Sequence, residues 1–150
     1  MKEASPRITR RPALPRDKSW AQKVHHDAYR TVVERQFGGW DDVQQDRFFE
    51  NDWNGGQFEI IEWDGYACGF VCIEDRTEDV HVREIVIAPH FQRRGIGSAI
   101  IREAVEGARE RRVPVVLGTF RLNQASALYQ RLGFRETGRT ETHTLFRLDP

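Results

Sequence analysis

Long apolar runs are missing from this sequence, as are a surplus of either charge, a cysteine framework and any internal repeat. Nowhere does the chain approach the roughly 20 consecutive apolar residues that span a bilayer. The first six residues, Met1-Lys2-Glu3-Ala4-Ser5-Pro6, hold no apolar segment of the leader-peptide kind. A soluble cytoplasmic protein with no membrane partner is therefore expected. Twenty-three basic residues balance 23 acidic ones, leaving no global field to draw in nucleic acid, so none is expected as a partner. The basic N-terminal stretch through Arg7, Arg10, Arg11, Arg16, Lys18 and Lys23 reads as a solvated surface. The only cysteines, Cys68 and Cys72, lie four apart in a strand, which gives them one face but too much separation to bridge. They read as free, packed thiols in a reducing compartment. No metal site is expected. At 150 residues the chain reads as a single domain, 1–150, able to bury roughly two thirds of its unfolded surface without staples.

What is present is a sequence of short periodic segments with clear punctuation. Arg7 to Arg11 reads as an edge strand stopped by Pro12 and Pro15. A helix capped by Asp17 carries Trp20, Val24, Ala28, Val32 and Val33 at helical spacing and ends at Gly38-Gly39. A second helix starts near Asp41, draws apolar contacts from Val43, Phe48 and Phe49, and closes at Gly55-Gly56. Trp40 and Gln44 are candidates for an acceptor pocket, while the other aromatics of this region read as core.

After Gly56 the period shortens. Phe58–Trp63 and Tyr66–Glu74 form a hairpin on Asp64-Gly65, and His81–Ala88 follows as a third antiparallel strand. A helix from Gly97 to Arg112 presents Ile96, Ile100, Ala104 and Ala108 on one stripe. Pro114–Phe120 is almost wholly apolar, as a central strand covered on both faces would be, and should run parallel to the strand before the helix. A short helix over Asn123–Leu132 and a hairpin of Phe134–Arg139 with Glu141–Leu148 complete the chain. The fold class is α/β: a mixed, mostly antiparallel central sheet flanked by helices on both faces.

The stretch that organises the chemistry is Gln92-Arg93-Arg94-Gly95-Ile96-Gly97, set between a β-branched strand and a helix. Glycines let backbone approach a ligand, and the first amides of a helix lack partners within it, so a phosphate or pyrophosphate is the natural guest. The Gly-x-x-x-x-Gly-Lys-Ser/Thr loop is absent, and the dinucleotide pattern Gly-x-Gly-x-x-Gly lacks its third glycine.

The turn resembles motif A of the GCN5-related N-acetyltransferase superfamily, Gln/Arg-x-x-Gly-x-Gly/Ala between the fourth strand and third helix. Downstream, Asn123-Gln124-Ala125-Ser126-Ala127-Leu128-Tyr129-Gln130-Arg131-Leu132-Gly133-Phe134 is similar to the same superfamily's Asn-x-x-Ala-x-x-x-Tyr-x-x-x-Gly-Phe motif. Two motifs in the right order are far more specific than either alone, and the element order matches the family fold over nearly the whole chain.

The resemblance implies acetyl-CoA as cosubstrate and a sheet splayed between its fourth and fifth strands. It places the pyrophosphate on the amides of Arg93, Arg94, Gly95, Ile96, Gly97 and Ser98, with Gln92 at the motif's first position. It places the pantetheine arm along the backbone of Ile85, Val86 and Ile87, and gives Val86 or Ile87 as oxyanion donor. Tyr129 matches the family's general acid, and Asn123 the asparagine that contacts the cofactor. For the general base that an ammonium acceptor requires, Glu84 is the first candidate and His81 the second, being farther from the splay. The activity implied is direct acetyl transfer in a ternary complex to a primary amine, of a small molecule or of a protein lysine or N-terminus. The alternative is a non-catalytic acyl-CoA-binding sensor. Homodimers are common in the family. Gly118 stands where some protein N-terminal acetyltransferases carry a catalytic glutamate, which argues against that specificity.

Overall fold

The computed structural model describes residues 7–150; the leader-free reading of Met1–Pro6 lies outside the described residues. In chain order the elements are β1 (Ile8–Pro12), α1 (Lys18–Phe37), α2 (Asp42–Gly55), β2 (Glu59–Trp63), β3 (Tyr66–Asp75), β4 (Val80–Ile87), α3 (Ile96–Glu110), β5 (Val115–Phe120), α4 (Ala125–Arg131), β6 (Arg135–Arg139) and β7 (His143–Leu148). Single 3-10 turns occupy Pro15–Asp17 and Pro89–Phe91. The seven strands form one sheet in the order β1-β2-β3-β4-β5-β7-β6, antiparallel except for β4 against β5.

Helix boundaries follow local chemistry. Gly38 ends α1 in the left-handed region at φ 83°, its amide donating to Glu34 O at 2.9 Å. The Asp41 carboxylate caps α2 by accepting from the Gln44 amide at 2.9 Å. Asp17, expected to cap α1, does not. Its carboxylate takes two bonds from Arg11, at 2.8 and 3.0 Å, and one from the Leu14 amide at 2.7 Å. A forked guanidinium from β1 is a stronger donor than a helix amide, so the side chain turns back to tie the edge strand to the first turn.

Two layers of helices bury the sheet. α1 and α2 cover β2–β4 with Ala21, Val24 and Phe49 against Ile60, Phe70 and Val86. On the other face α3 lays Ile96 and Ile100 against Ile61 and Val71, and Ile101 and Val105 against Val80, Val82, Val115 and Leu117, beside Tyr129 of α4. Each such side chain contributes about 1.5–3 kcal/mol on burial, enough to overcome the low helix propensity of β-branched residues in α3. Two expectations fail here. Of the three apolar contacts expected of α2 only Phe49 turns inward, joined by Trp53, while Val43 and Phe48 stay 68% and 50% exposed, because they lie off the stripe that faces the sheet. β5 is covered on one face only: Val115, Leu117 and Thr119 are buried, but Gly118 is exposed, because α1 and α2 pack over β2–β4.

Two bulges set the geometry of the centre. Ile61 pairs with Gly69 and Glu62 with Ala67, which leaves Cys68 as an extra residue in β3. Cys72 pairs with Glu84 and Ile73 with Val82, which leaves Arg83 as an extra residue in β4. A bulge reverses the alternation of sides. Cys68 therefore packs among Ile61, Ile96 and Ile100, while Cys72 packs with Phe49 and Phe70 on the opposite face, overturning the expectation that they share one. Both thiols are free and buried, and burial pushes that of Cys68 up to about 11.

Candidate active site at the splay

The parallel ladder between β4 and β5 is three pairs long: Val80 with Val115, His81 with Val116, and Val82 with Leu117. At the Arg83 bulge β4 turns away, so the expected splay is present between Glu84–Ile87 and the end of β5. The Ala88 amide donates to Cys68 O on the β3 side, and the Val86 carbonyl also faces Gly69 of β3. Alternation then aims the backbone of Ile85 and Ile87 into the gap. The Ile87 carbonyl on that side is taken by Gln92 Nε2 at 2.9 Å. Val86, expected among the backbone groups that line the gap, instead spends its amide and carbonyl on β3.

Behind the gap lies the glycine turn. Arg93 and Gly95 adopt φ of 64° and 80°, which reverses the chain into α3. The first helical bond is from the Ala99 amide to Gly95 O at 3.0 Å, and the amides of Gly95, Ile96, Gly97 and Ser98 have no protein acceptor among the described residues. A Cβ on Gly97 would meet nothing closer than Ile87 Cγ1 at 3.8 Å. Packing within the chain thus does not demand glycine there, whereas close approach of a ligand would. The cradle fits a pyrophosphate. The two arginines separate. Arg93 lies exposed on the turn, but the Arg94 guanidinium sits 5.7 Å over Trp63 and 5.6 Å over Phe91 and bonds His90 O, which fixes its charge toward β2.

Glu84 projects from the bulge toward α1, where the Tyr29 hydroxyl donates to its Oε1. Oε2 accepts from no described protein donor. Burial raises the Glu84 carboxyl to about 7, against which the Tyr29 bond acts in the lowering direction. On the far side of the gap Tyr129 packs between Phe134 and Phe146 at 5.9 and 5.8 Å between ring centroids. Its hydroxyl has no described partner, yet no fully buried polar side-chain atom among the described residues lacks one, so this hydroxyl opens onto accessible space. Burial, then the nearby Glu84 charge, push it up to about 12.

The remaining candidates sort by contact. Asn123 Oδ1 accepts from the Ala125 amide at 2.9 Å, fixing the start of α4. His81 is held by Glu74 at 2.7 Å in the paired part of β4, short of the splay. Trp40 packs on His26 and Arg30 on the outer flank of α1, and Gln44 is exposed on the first turn of α2; neither touches Glu84, Tyr29 or Tyr129. Sequence reasoning missed Tyr29 and Gln36. Tyr29 falls beside the Val24–Ala28–Val33 stripe of α1, where a ring with a polar tip is a detectable signal. Gln36 donates to Thr142 O at 2.7 Å and accepts from the Leu122 amide at 3.1 Å, pinning the end of α1 to both loops beyond the gap. Nothing local announces that.

Known proteins resemble this chain in sequence and fold. Residues 24–134 match the model of the acetyltransferase (GNAT) family. A protein of Danio rerio called N-acetylaspartate synthetase is 36% identical over 95 residues, 61% of this chain and 34% of that one. An uncharacterized N-acetyltransferase of Methanocaldococcus jannaschii is 32% identical over 94 residues, 61% of this chain and 40% of its own length. The chain thus spans about a third to two fifths of the curated relatives it matches. The PaiA N-acetyltransferase of Thermoplasma acidophilum, crystallised with coenzyme A, superposes with a TM-score of 0.74 over 96% of this chain and 99% of that one at 13% identity, a likeness of fold.

Proposed function

The chain belongs to the acetyltransferase (GNAT) family, and from that premise we propose that it is an acetyl-CoA-dependent N-acetyltransferase that acetylates a primary amine by direct attack in a ternary complex. The observation that carries the reading is the splay. A buried carboxylate on one side and an unpartnered tyrosine hydroxyl on the other face a gap whose β4 edge offers free backbone groups.

Acetyl-CoA supplies an electrophilic thioester carbonyl and a thiolate leaving group. The amides of Gly95 to Ser98 hold its pyrophosphate, and the β5-facing backbone of Ile85 and Ile87 lies along its pantetheine arm. Glu84 Oε2 takes the proton from the acceptor ammonium, directly or through one water. A carboxyl raised to about 7 is well matched to that step near neutral pH. The freed amine forms the new C–N bond while the Ile87 amide donates to the developing oxyanion. As the C–S bond breaks, Tyr129 gives its proton to the departing sulfur, and the amine's second proton returns to solvent. Neither buried cysteine is required as a nucleophile. That one relative is called an N-acetylaspartate synthetase supports nitrogen as the acceptor atom.

Calorimetric titration with CoA tests the anchor, and Tyr129→Phe tests the chemistry. CoA should bind in the micromolar range, and the variant should keep that affinity while kcat falls by about 10²- to 10⁴-fold. Absence of binding at millimolar CoA, or full turnover in the variant, would remove the reading.

A further inference from the structure

An open groove of about 710 Å³ runs down the uncovered face of β5 and β7, on the side of the sheet from which Glu84 meets α1. Its upper end reaches His143, whose ring lies 4.8 Å from Phe120, itself 5.7 Å from Tyr29. Arg83 forms its β4 wall. The bulge gives Arg83 and Glu84 the same face, and the Arg83 guanidinium bonds Gly55 O of α2 at 2.8 Å. Arg135 and Arg147 form the lower wall, and Gly118 keeps the floor low, since a Cβ there would come within 3.2 Å of Leu145.

The charge of this groove is unevenly compensated. Arg76 and Asp79, also in its wall, satisfy each other through a two-bond fork at 2.6 and 2.9 Å. Arg135 and Arg147 are direct cross-strand partners in β6 and β7, a placing of like charges that costs stability. They share one exposed carboxylate, Asp149, at 3.5 and 2.8 Å. Arg83 reaches Asp52 and Glu74 only at 3.5 and 4.0 Å, and Glu74 is already engaged by His81. Three guanidiniums therefore face the groove with long or shared counter-ions, and Glu84 follows Arg83 on the same face of β4, just beyond the residues that line it. Arg147 stands opposite Val116 and Val116 opposite His81, so Arg147 and Glu84 are two strand spacings, ~10 Å, apart across the sheet and about two residues, ~7 Å, apart along it, a span that arginine and glutamate side chains reaching toward each other narrow to the size of a small amino acid.

We propose that the acceptor is a small amine that carries carboxylates, its ammonium at Glu84 and its acid groups at Arg83 and the Arg135–Arg147 pair. This rests on the acetyl-transfer reading above and deepens it. Charge-assisted, forked bonds from guanidinium to carboxylate supply the selection, and a neutral or cationic amine leaves the paired arginines with Asp149 as their one shared carboxylate.

The test uses the full chain with acetyl-CoA and thiol release as readout, comparing aspartate and glutamate with their diamides and with cadaverine. The acids should be preferred at least tenfold in kcat/KM. Arg147→Met and Arg83→Met should each raise KM for the acids at least tenfold without moving KM for acetyl-CoA. Because Arg83 also ties α2, the half-buried Arg147, which ties no helix, carries the test if Arg83→Met misfolds. Equal use of diamides, or an unchanged preference in Arg147→Met, overturns the proposal. Thermal-shift binding of aspartate to the CoA-loaded protein separates the two readings. Arginine-dependent binding without thiol release upholds the acidic site and sinks the transferase. Thiol release with the neutral amines alone does the reverse.

Discussion

Glu84 of β4 bonds Tyr29 of α1, and its ionisation should be visible in the rate. With its carboxyl at about 7, kcat/KM should rise through pH 7 as the base forms, and Glu84→Gln should abolish that limb while lowering kcat by about 10²- to 10⁴-fold. A pH profile that rises in the variant as in the wild type would reassign the base. Tyr29 donates to Oε1 and so favours the ionised form. Tyr29→Phe removes that bond, and the midpoint should move upward by about one pH unit, the equivalent of ~1.4 kcal/mol. A fall in kcat with the midpoint unmoved would mean that Tyr29 serves packing alone. The Tyr29–Glu84 bond was not legible from the sequence, because the partners are 55 positions apart and meet only when α1 lies across β4.

At the scale of elements, the two bulges do what no helix does. The extra residue in β4 turns Glu84 toward α1 and ends the ladder with β5, and the extra residue in β3 adjoins Gly69, which pairs with Ile61 of β2 and Ile87 of β4. A Cβ on Gly69 would fall inside the van der Waals surface of the Val86 carbonyl oxygen, and backbone cannot yield there as a flexible side chain can. Gly69→Ala should cost at least about 2–3 kcal/mol in urea unfolding, whereas Gly97→Ala, with ordinary contact only, should leave stability nearly unchanged and weaken CoA binding. If Gly97→Ala bound CoA as well as the wild type, close ligand approach at that position would be ruled out. Strand identity was readable from period-2 runs and Asp64-Gly65. Bulges were not, since one extra residue in a run of Val, Ile and Cys leaves the composition of a strand intact.

For the whole molecule, the carboxyl proposed as base opposes stability. Glu84 binds its proton more tightly folded than unfolded, about 7 against an ordinary 4.5, so stability is highest below pH 4.5 on its account and is lost as pH rises through 7. Glu84→Gln should therefore gain on the wild type by up to about 3 kcal/mol at pH 8 and by little at pH 4.5, measured by urea unfolding at both. A gain of equal size at the two values would deny the burial of a charge. Asp17 works in the opposite sense: bonded by Arg11, its carboxyl falls to about 2, and its stabilisation, present above pH 3.8, is lost as pH falls toward 2. Among the described residues no helix is long and apolar enough to cross a membrane. The sequence by itself determined the element order, the parallel β4–β5 crossover and the anion turn at Gln92–Ser98, because turn residues, hydrophobic periods and glycine positions are local properties. Tertiary structure alone decided which face each residue of β3 and β4 presents, that β5 has an open side, and that Arg83, Arg135 and Arg147 share one groove. Those outcomes depend on register, and register is fixed only when distant strands compete for the same buried surface.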